Sequence, residues 1–323
     1  MAPASKHWDN RTARHIKLRD LRYLAAVADC GSMARAAKNL GTSQPAVSKS
    51  IADLEHAVGA RLLDRNSNGA VPTMYGRALI GRVRAAIDEL KQGIAEIEFL
   101  TDPNLGEVRI GCTEAVAAGF LPVVLSRFSR KYPRVCLAIE QTSSATLDYR
   151  ELRERRLDLI IGRAEHPFTD DTLNADILLH HKHIVVAGAN SSWARRRKIQ
   201  LSDLADARWV RPPQRSPLNA IHSEAFAACG LELPPANAET FSLHVTFHLI
   251  ANEGFVAMLP GYTLALCNHH SLKILPIDLA IERWPLALVT LKGRTLSPAA
   301  QCFVECTREA AKLVARGLRP RMS

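Results

Sequence analysis

Four residues near the start of one short segment, Gln44, Pro45, Ser48 and Lys49, have the chemistry of a duplex reader. An amide and a hydroxyl exchange hydrogen bonds with base edges in a major groove, and a lysine meets phosphate. Such residues act only if a rigid helix presents them. Val47, Ile51, Leu54 and Val58 fall at i, i+4, i+7 and i+11, one apolar stripe facing a core. That stripe leaves Gln44, Ser48, Lys49 and Ala52 on the opposite face. Thr42 or Ser43 is placed to cap the helix, and Pro45 fits its first turn, where a missing N–H costs little. A shorter helix precedes it, with Met33, Ala36, Ala37 and Leu40 at helical spacing and Gly41 as its stop. The pair reads as a helix-turn-helix; a helical hairpin with a polar outer face is the alternative.

The flanks add to this reading. Leu21, Leu24, Val27 and Ala28 form an apolar stripe on an earlier helix, so three helices can enclose a small core. From Arg61 to Thr73 the chain reads as a strand, a polar Asn66–Gly69 turn and a second strand, which together make a wing. Arg65 and Lys49 would contact phosphate, with the turn on the backbone or minor groove. The chain resembles the LysR-type transcriptional regulators in five blocks: Leu21-Arg-Tyr-Leu-Ala-Ala-Val-Ala, Gly31-Ser-Met-Ala-Arg-Ala-Ala, Ser43-Gln-Pro-Ala-Val-Ser-Lys, Leu54-Glu, and Gly59-Ala-Arg-Leu-Leu-Asp-Arg. Two departures keep the chemistry: Met33 stands where the family usually has phenylalanine, and Leu63-Asp-Arg replaces Phe-Glu-Arg. The resemblance implies DNA contacts for Ser32, Arg35 and Ser43 as well.

Composition sets outer bounds. The chain has 323 residues, 47% hydrophobic and 23% charged, with a net charge of +10. That is a globular protein of two or three domains with a polyanionic partner. Lys6, Arg11, Arg14, Lys17, Arg19 and Arg22 concentrate charge at the start, where residues 1–17 read as a basic extension. No apolar leader follows Met1 and no apolar run is long enough to span a bilayer, so a cytoplasmic protein with no membrane partner is expected. The seven cysteines are dispersed, with no Cys-x-x-Cys pair, and read mostly as inert thiols. His180-His-Lys-His183, His244-x-x-x-His248 and Cys267-Asn-His-His270 read as structural or surface histidines, so no metal and no cofactor are expected. There is no Gly-x-Ser-x-Gly elbow, no phosphate-binding glycine loop and no Gly-x-Gly-x-x-Gly fingerprint, which argues against an enzyme.

Between Tyr75 and Leu100, Ile80, Val83, Ile87, Leu90, Ile94 and Ile97 repeat at spacings of three and four. This seam is narrow enough for a coiled coil, and the simplest partner is the same helix of a second copy. A homodimer implies an operator with dyad symmetry. Thr101 to Gly106 reads as the hinge.

The remaining residues alternate strands and helices. Val108–Cys112, Val135–Glu140 and Leu157–Ile161 read as strands separated by a helix ending near Tyr132 and another from Leu147 to Arg155, which predicts a parallel sheet. A similar set follows from Ile184 to Leu259, and the strand Leu286–Leu291 and a helix from Pro298 return to the first lobe. The expected fold class is α/β: an all-α winged helix-turn-helix (18–74), a linker helix and hinge (75–105), and a two-lobed Rossmann-like domain of the periplasmic-binding-protein type (106–323). Lobe I takes about 106–178 and 285–318, and lobe II about 179–284. Ligands of such lobes bind at the carboxyl ends of strands, beside helix N-termini. Thr113, Glu114, Thr142, Ser143, Ser144, Ser216 and Ser242 stand at such junctions, and Arg163 and Arg211 end strands where an acidic effector would pair. Phe168 and Phe241 are candidate cleft walls.

The resemblance implies a small-molecule effector and double-stranded DNA as partners, with RNA polymerase recruitment and a homotetramer in prospect. Ile199–Leu204, Trp209–Pro213 and Leu259–Gly261 look closest to regulators of sugar or aromatic-acid catabolism, so sugars, sugar acids and aromatic acids are the expected effectors. The alternative is a constitutive DNA-binding protein whose C-terminal domain takes no ligand or responds to oxidation through Cys112, Cys136 or Cys229.

Overall fold

The computed structural model describes residues 16–66, 69–142, 149–164, 168–265 and 270–315. The expectations for Lys6, Arg11, Arg14, Ser67, Asn68, Ser143, Ser144 and Cys267 lie outside these residues. The chain divides into two compact units near Ile94.

In the first unit, helices α1 (Leu18–Cys30), α2 (Met33–Asn39) and α3 (Gln44–Val58) enclose a core of Leu24, Val27, Ala36, Ala37, Val47, Ile51 and Leu54, all at most 3% exposed. The Ser32 hydroxyl caps α2 by accepting the Arg35 N–H, and Ser43 caps α3 by accepting the Ala46 N–H. Gly31 and Gly59 end α1 and α3 in left-handed conformations. Strands β1 (Leu63–Asn66) and β2 (Gly69–Pro72) pair antiparallel as the wing. Their root is held by Glu55, whose carboxylate accepts the N–H groups of Leu62 at 2.7 Å and Leu63 at 3.1 Å. Inside the core the Ser50 hydroxyl donates to Asp20, a buried pair absent from the sequence expectations.

Helix α4 (Met74–Thr101) corrects the reading of the seam. Ile80 packs into the core of the first unit, Val83 is buried and Arg84 pairs with Asp29 on α1. Only Leu90, Ile94 and Ile97 of the apolar repeat stay exposed, at 52–66%, and the neighbouring Leu100 is exposed as well. The expectation assigned the whole repeat to a second copy. Its first turns are used within the chain.

The second unit holds two five-stranded sheets. In chain order the elements are β3 (Glu107–Cys112), α5 (Glu114–Ala118), α6 (Phe120–Lys131), β4 (Cys136–Gln141), α7 (Arg150–Arg153), β5 (Leu159–Arg163), β6 (Leu173–His181), β7 (His183–Gly188), β8 (Trp209–Arg211), α8 (Pro217–Ala227), β9 (Ala236–Glu239), α9 (Leu243–Glu253), β10 (Val256–Pro260), α10 (Tyr262–Ala265), β11 (Leu272–Ile274), β12 (Trp284–Leu291) and α11 (Pro298–Ala315). The first sheet has the order β4-β3-β5-β12-β6, and the second β11-β7-β10-β8-β9.

Both sheets are mixed rather than parallel. β3, β4 and β5 run parallel, but β12 is antiparallel to both β5 and β6, and β7 is antiparallel to β10. The reason is the connection. The chain leaves the first lobe along β6 and returns beside it along β12, so Trp284 opposes His181 in opposite strand directions. Helix α7 is also shorter than expected, because Tyr149 and Arg155 take left-handed φ values of 52° and 58° at its two ends. The helix expected to run from β3 to Tyr132 breaks at Gly119, where a Cβ would stand 2.5 Å from the Tyr262 carbonyl oxygen. Each lobe has its own aromatic anchor. Phe128 meets Phe303 edge-on at 5.2 Å, and Trp209 meets Phe226 at 5.4 Å while donating its indole N–H to the Leu204 carbonyl.

Candidate nucleic-acid interface and ligand cleft

The exposed start of α3 presents what the sequence assigned to it. Ser43, Gln44, Pro45 and Lys49 are exposed and Ser48 is half-buried, while Val47 and Ser50 on the same turns are buried. Arg35 is exposed on α2, and Ser32 serves as that helix's cap. Arg65 reaches from the wing to the helix, where it donates to the Ser48 hydroxyl at 3.2 Å and lies 3.9 Å from Glu55. The residue expected to read bases and the one expected to contact phosphate are thus hydrogen-bonded to each other. The interface holds hydroxyl, amide and cationic groups on one rigid helix and one wing, a shape and charge that fit a major groove and its flanking phosphates.

In the second unit, a cavity of about 100 Å³ lies between the two lobes. Cavities of this order hold a single six-membered ring. Five of the expected residues line it: Thr113, Glu114, Arg163, Arg211 and Phe241. Four expected residues do not. Ser216 accepts the Leu218 N–H at 3.1 Å and Ser242 the Val245 N–H, each capping its own helix, and Thr142 hydrogen-bonds through its backbone to Cys112. Phe168 meets Tyr149 edge-on, away from the cavity. Ser216→Ala is expected to cost about 1 kcal/mol of stability, as a lost cap does. Ligand affinity should stay within about twofold, since the hydroxyl is already committed to the helix. A larger loss in calorimetric titration would return Ser216 to the site.

The sequence reading missed the histidines. His181, His183 and His222 all line the cavity and are at most 8% exposed. Of the His180–His183 run, expected to be structural or surface residues, His181 and His183 are buried and also line the cavity. Burial holds all three rings neutral. It lowers His181 and His222 to about 4 each, and lowers His183 to about 3 with help from the neighbouring imidazoles and Arg163. A short signal for them existed: positions 181 and 183 flank the crossing between lobes at a strand period.

The charged groups divide the wall. Glu114 is tied down, accepting the Leu243 N–H at the start of α9 at 3.2 Å and a hydrogen bond from Gln141. Because Glu114 belongs to the first lobe and Leu243 to the second, this bond spans the cleft. Arg163 stacks its guanidinium 4.8 Å over Trp284. Arg211 is 7% exposed, and its Nε and one terminal nitrogen have no hydrogen-bond partner among the described residues. Burial lowers its pKa and Glu239 opposes that shift. Chemically the cavity offers a buried cation beside apolar Val210, Leu218, Ile221 and Met258, which suits a small amphipathic anion.

Residues 101–312 match the family model for the LysR substrate binding domain, and residues 18–77 match that for the bacterial regulatory helix-turn-helix protein, lysR family. The chain belongs to the LysR family of transcriptional regulators. This LysR-type regulator is 27% identical to the transcriptional regulator GbpR of Azospirillum brasilense over 92% of its own length and 87% of that protein's. It is also 27% identical to the regulator GalR of Pseudomonas putida, over 91% and 74% of the two chains. Among solved structures, a full-length OxyR variant from Pseudomonas aeruginosa superposes with a TM-score of 0.67 at 19% identity, covering 96% of this chain and 99% of that one. CbnR, a LysR family regulator, gives 0.61 at 19% identity over 92% and 99%. These two likenesses show the fold.

Within the regulator, Cys112 is fully buried on β3, and burial with the nearby Glu114 charge raises its thiol to about 11. A thiol held protonated at neutral pH is a poor nucleophile toward oxidants. Among the described residues, no three histidine, cysteine or acidic side chains gather as a metal site, and no helix is long and apolar enough to cross a membrane.

Proposed function

We propose that this LysR-type regulator reads a dyad-symmetric operator as a dimer in the cytoplasm, and that a small monocarboxylic acid in the cleft sets its activity. Arg211 carries the ligand reading. Arg211 is buried as a residue, and its Nε and one terminal nitrogen have no hydrogen-bond partner among the described residues, an arrangement that is costly unless an anion completes it. The permanent charges lining the cavity are Arg163, Arg211 and Glu114, a net of one positive charge, which one carboxylate neutralises. Neutral sugars, expected alongside acids from the sequence, leave that charge uncompensated.

The acid acts by population shift. Glu114 and Leu243 already bridge the lobes, so a ligand that prefers one lobe arrangement moves the equilibrium between arrangements. That shift would reach the reading heads as altered spacing and DNA bending, and so alter polymerase recruitment. The test is thermal melting of the full chain with sugar acids, aromatic acids and neutral sugars at matched concentration. Acids of one class should raise the melting temperature by mass action while neutral sugars leave it unchanged. A shift from neutral sugars alone, or silence from every compound, would sink the acid-effector reading; silence would favour the ligand-free alternative.

The exposed Leu90, Ile94 and Ile97 support the dimer. Leu90→Lys should convert dimer to monomer at micromolar concentration by placing a charge in the seam, and should weaken operator binding at least about tenfold. Sedimentation showing an intact dimer would refute the seam.

A further inference from the structure

The cleft contains more polar capacity than one carboxylate uses. Arg211, His222, His183 and Arg163 all line the cavity, and Arg211 acts electrostatically on His222 as His222 and Arg163 do on His183. His222 on α8 is 4% exposed and His183 on β7 is 8% exposed. The Nδ1 atom of each has no hydrogen-bond partner among the described residues. His181 differs, since its ring packs edge-on against Tyr262 at 4.6 Å and serves the wall itself.

A buried histidine normally has its tautomer fixed by a hydrogen bond at one ring nitrogen. At His183 and His222 no described protein group provides that bond through Nδ1. Each ring is also neutral, so it offers one N–H donor and one bare acceptor. A second carboxylate does not suit this pair. It would leave the cavity net negative unless a histidine took up a proton, and burial opposes that. An alkyl or unsubstituted aromatic surface would leave the nitrogens without partners. A hydroxyl both donates and accepts at one small uncharged atom, which suits this pair.

Building on the acid reading, we propose that the effector is a hydroxy acid, with its carboxylate on Arg211 and a hydroxyl on the imidazoles of His222 and His183. The two histidines are then the specificity-determining residues of the cleft. They select among acids that Arg211 alone would accept equally. The selectivity is of the kind seen when a site built to hydrogen-bond a hydroxyl is offered the analogue lacking it.

Titration calorimetry on the full chain with matched acids tests this. The probes are benzoate against its 2-, 3- and 4-hydroxy derivatives, and butanoate against its 2-, 3- and 4-hydroxy derivatives. One hydroxylated isomer should bind at least about tenfold tighter than its parent. In His222→Phe that preference should fall to about twofold or less, while the parent acid keeps its affinity within about threefold. His222→Gln, which retains a donor and an acceptor, should recover part of the preference, and the wild-type comparison stands even if the phenylalanine variant folds poorly. Parent acids binding as tightly as every hydroxylated derivative would overturn the hydroxyl assignment and leave the acid reading intact. Failure of all acids to bind would overturn both.

Discussion

Ser48→Glu should lower affinity for a cognate operator by roughly a thousandfold while leaving the fold and the proposed dimer intact. Ser48 is half-buried on the face of α3 opposite Val47 and Ile51, so a longer side chain leaves the core untouched. Surface changes of this kind usually alter stability by no more than about 0.5 kcal/mol. Two losses combine at the interface. A carboxylate replaces a hydroxyl where base edges and phosphates approach, a like-charge contact costing several kcal/mol. Arg65 then gains a new partner, because the guanidinium that donates to Ser48 at 3.2 Å would pair with the glutamate instead. An exposed ion pair contributes at most about 1 kcal/mol, yet it takes the cation from the phosphate it would neutralise. The salt dependence of binding should therefore flatten by about one ion per reading head. Ser48→Ala is the control and should cost only about tenfold. Fluorescence anisotropy across a salt series reads both quantities. Operator affinity within tenfold of wild type for the glutamate variant would remove Ser48 and Arg65 from the interface.

The reading head was legible because its signals are local. Ser32, Ser43, Gly31 and Gly59 act within a few residues of where they stand, and the Val47–Ile51–Leu54 stripe needs only one helix to be visible. The apolar repeat on α4 was legible as a repeat but not in its use. Spacing alone does not tell whether Ile80 faces its own head or a second copy, and the chain uses it for the former. Strand β6 was not recognised, since Asn174, Asp176, His180 and His181 interrupt its apolar pattern. It lies at a sheet edge and runs antiparallel to β12, which sequence order alone presents as one more parallel unit.

The cleft was half legible for a related reason. Arg163 and Arg211 stand at strand ends, where the topology of an α/β lobe places ligands, and both were found. His222 sits in the middle of α8, and nothing at that position in the sequence marks it as other than a core residue. The role proposed for it depends on Arg211 at the end of β8 and His183 at the start of β7, which line the same cavity. Ser216 and Ser242 show the reverse failure. Serine before a helix is required for capping whether or not a ligand is near.

Arg211→Met separates binding from folding. Removing a buried charge whose Nε and one terminal nitrogen lack hydrogen-bond partners among the described residues relieves its desolvation, so the variant should melt no lower than wild type, and replacement of buried charge by an apolar chain of similar length often raises stability. The backbone contribution survives, because the Thr240 N–H bonds to the residue-211 carbonyl whatever the side chain. Affinity for the acid should fall about a hundredfold, the loss expected when one partner of a buried charge-assisted pair is truncated. Arg211→Lys should fall between the two, retaining charge without the planar fork that holds both carboxylate oxygens. Operator binding without the acid should be unchanged for Arg211→Met, and its response to the acid lost, because an effector moves an equilibrium only by its difference in affinity for the two states. A methionine variant that melts lower and still binds the acid within threefold would assign Arg211 to the architecture of the lobe. The opposite pair of results, undiminished stability with lost response, is what a residue kept for its ligand produces.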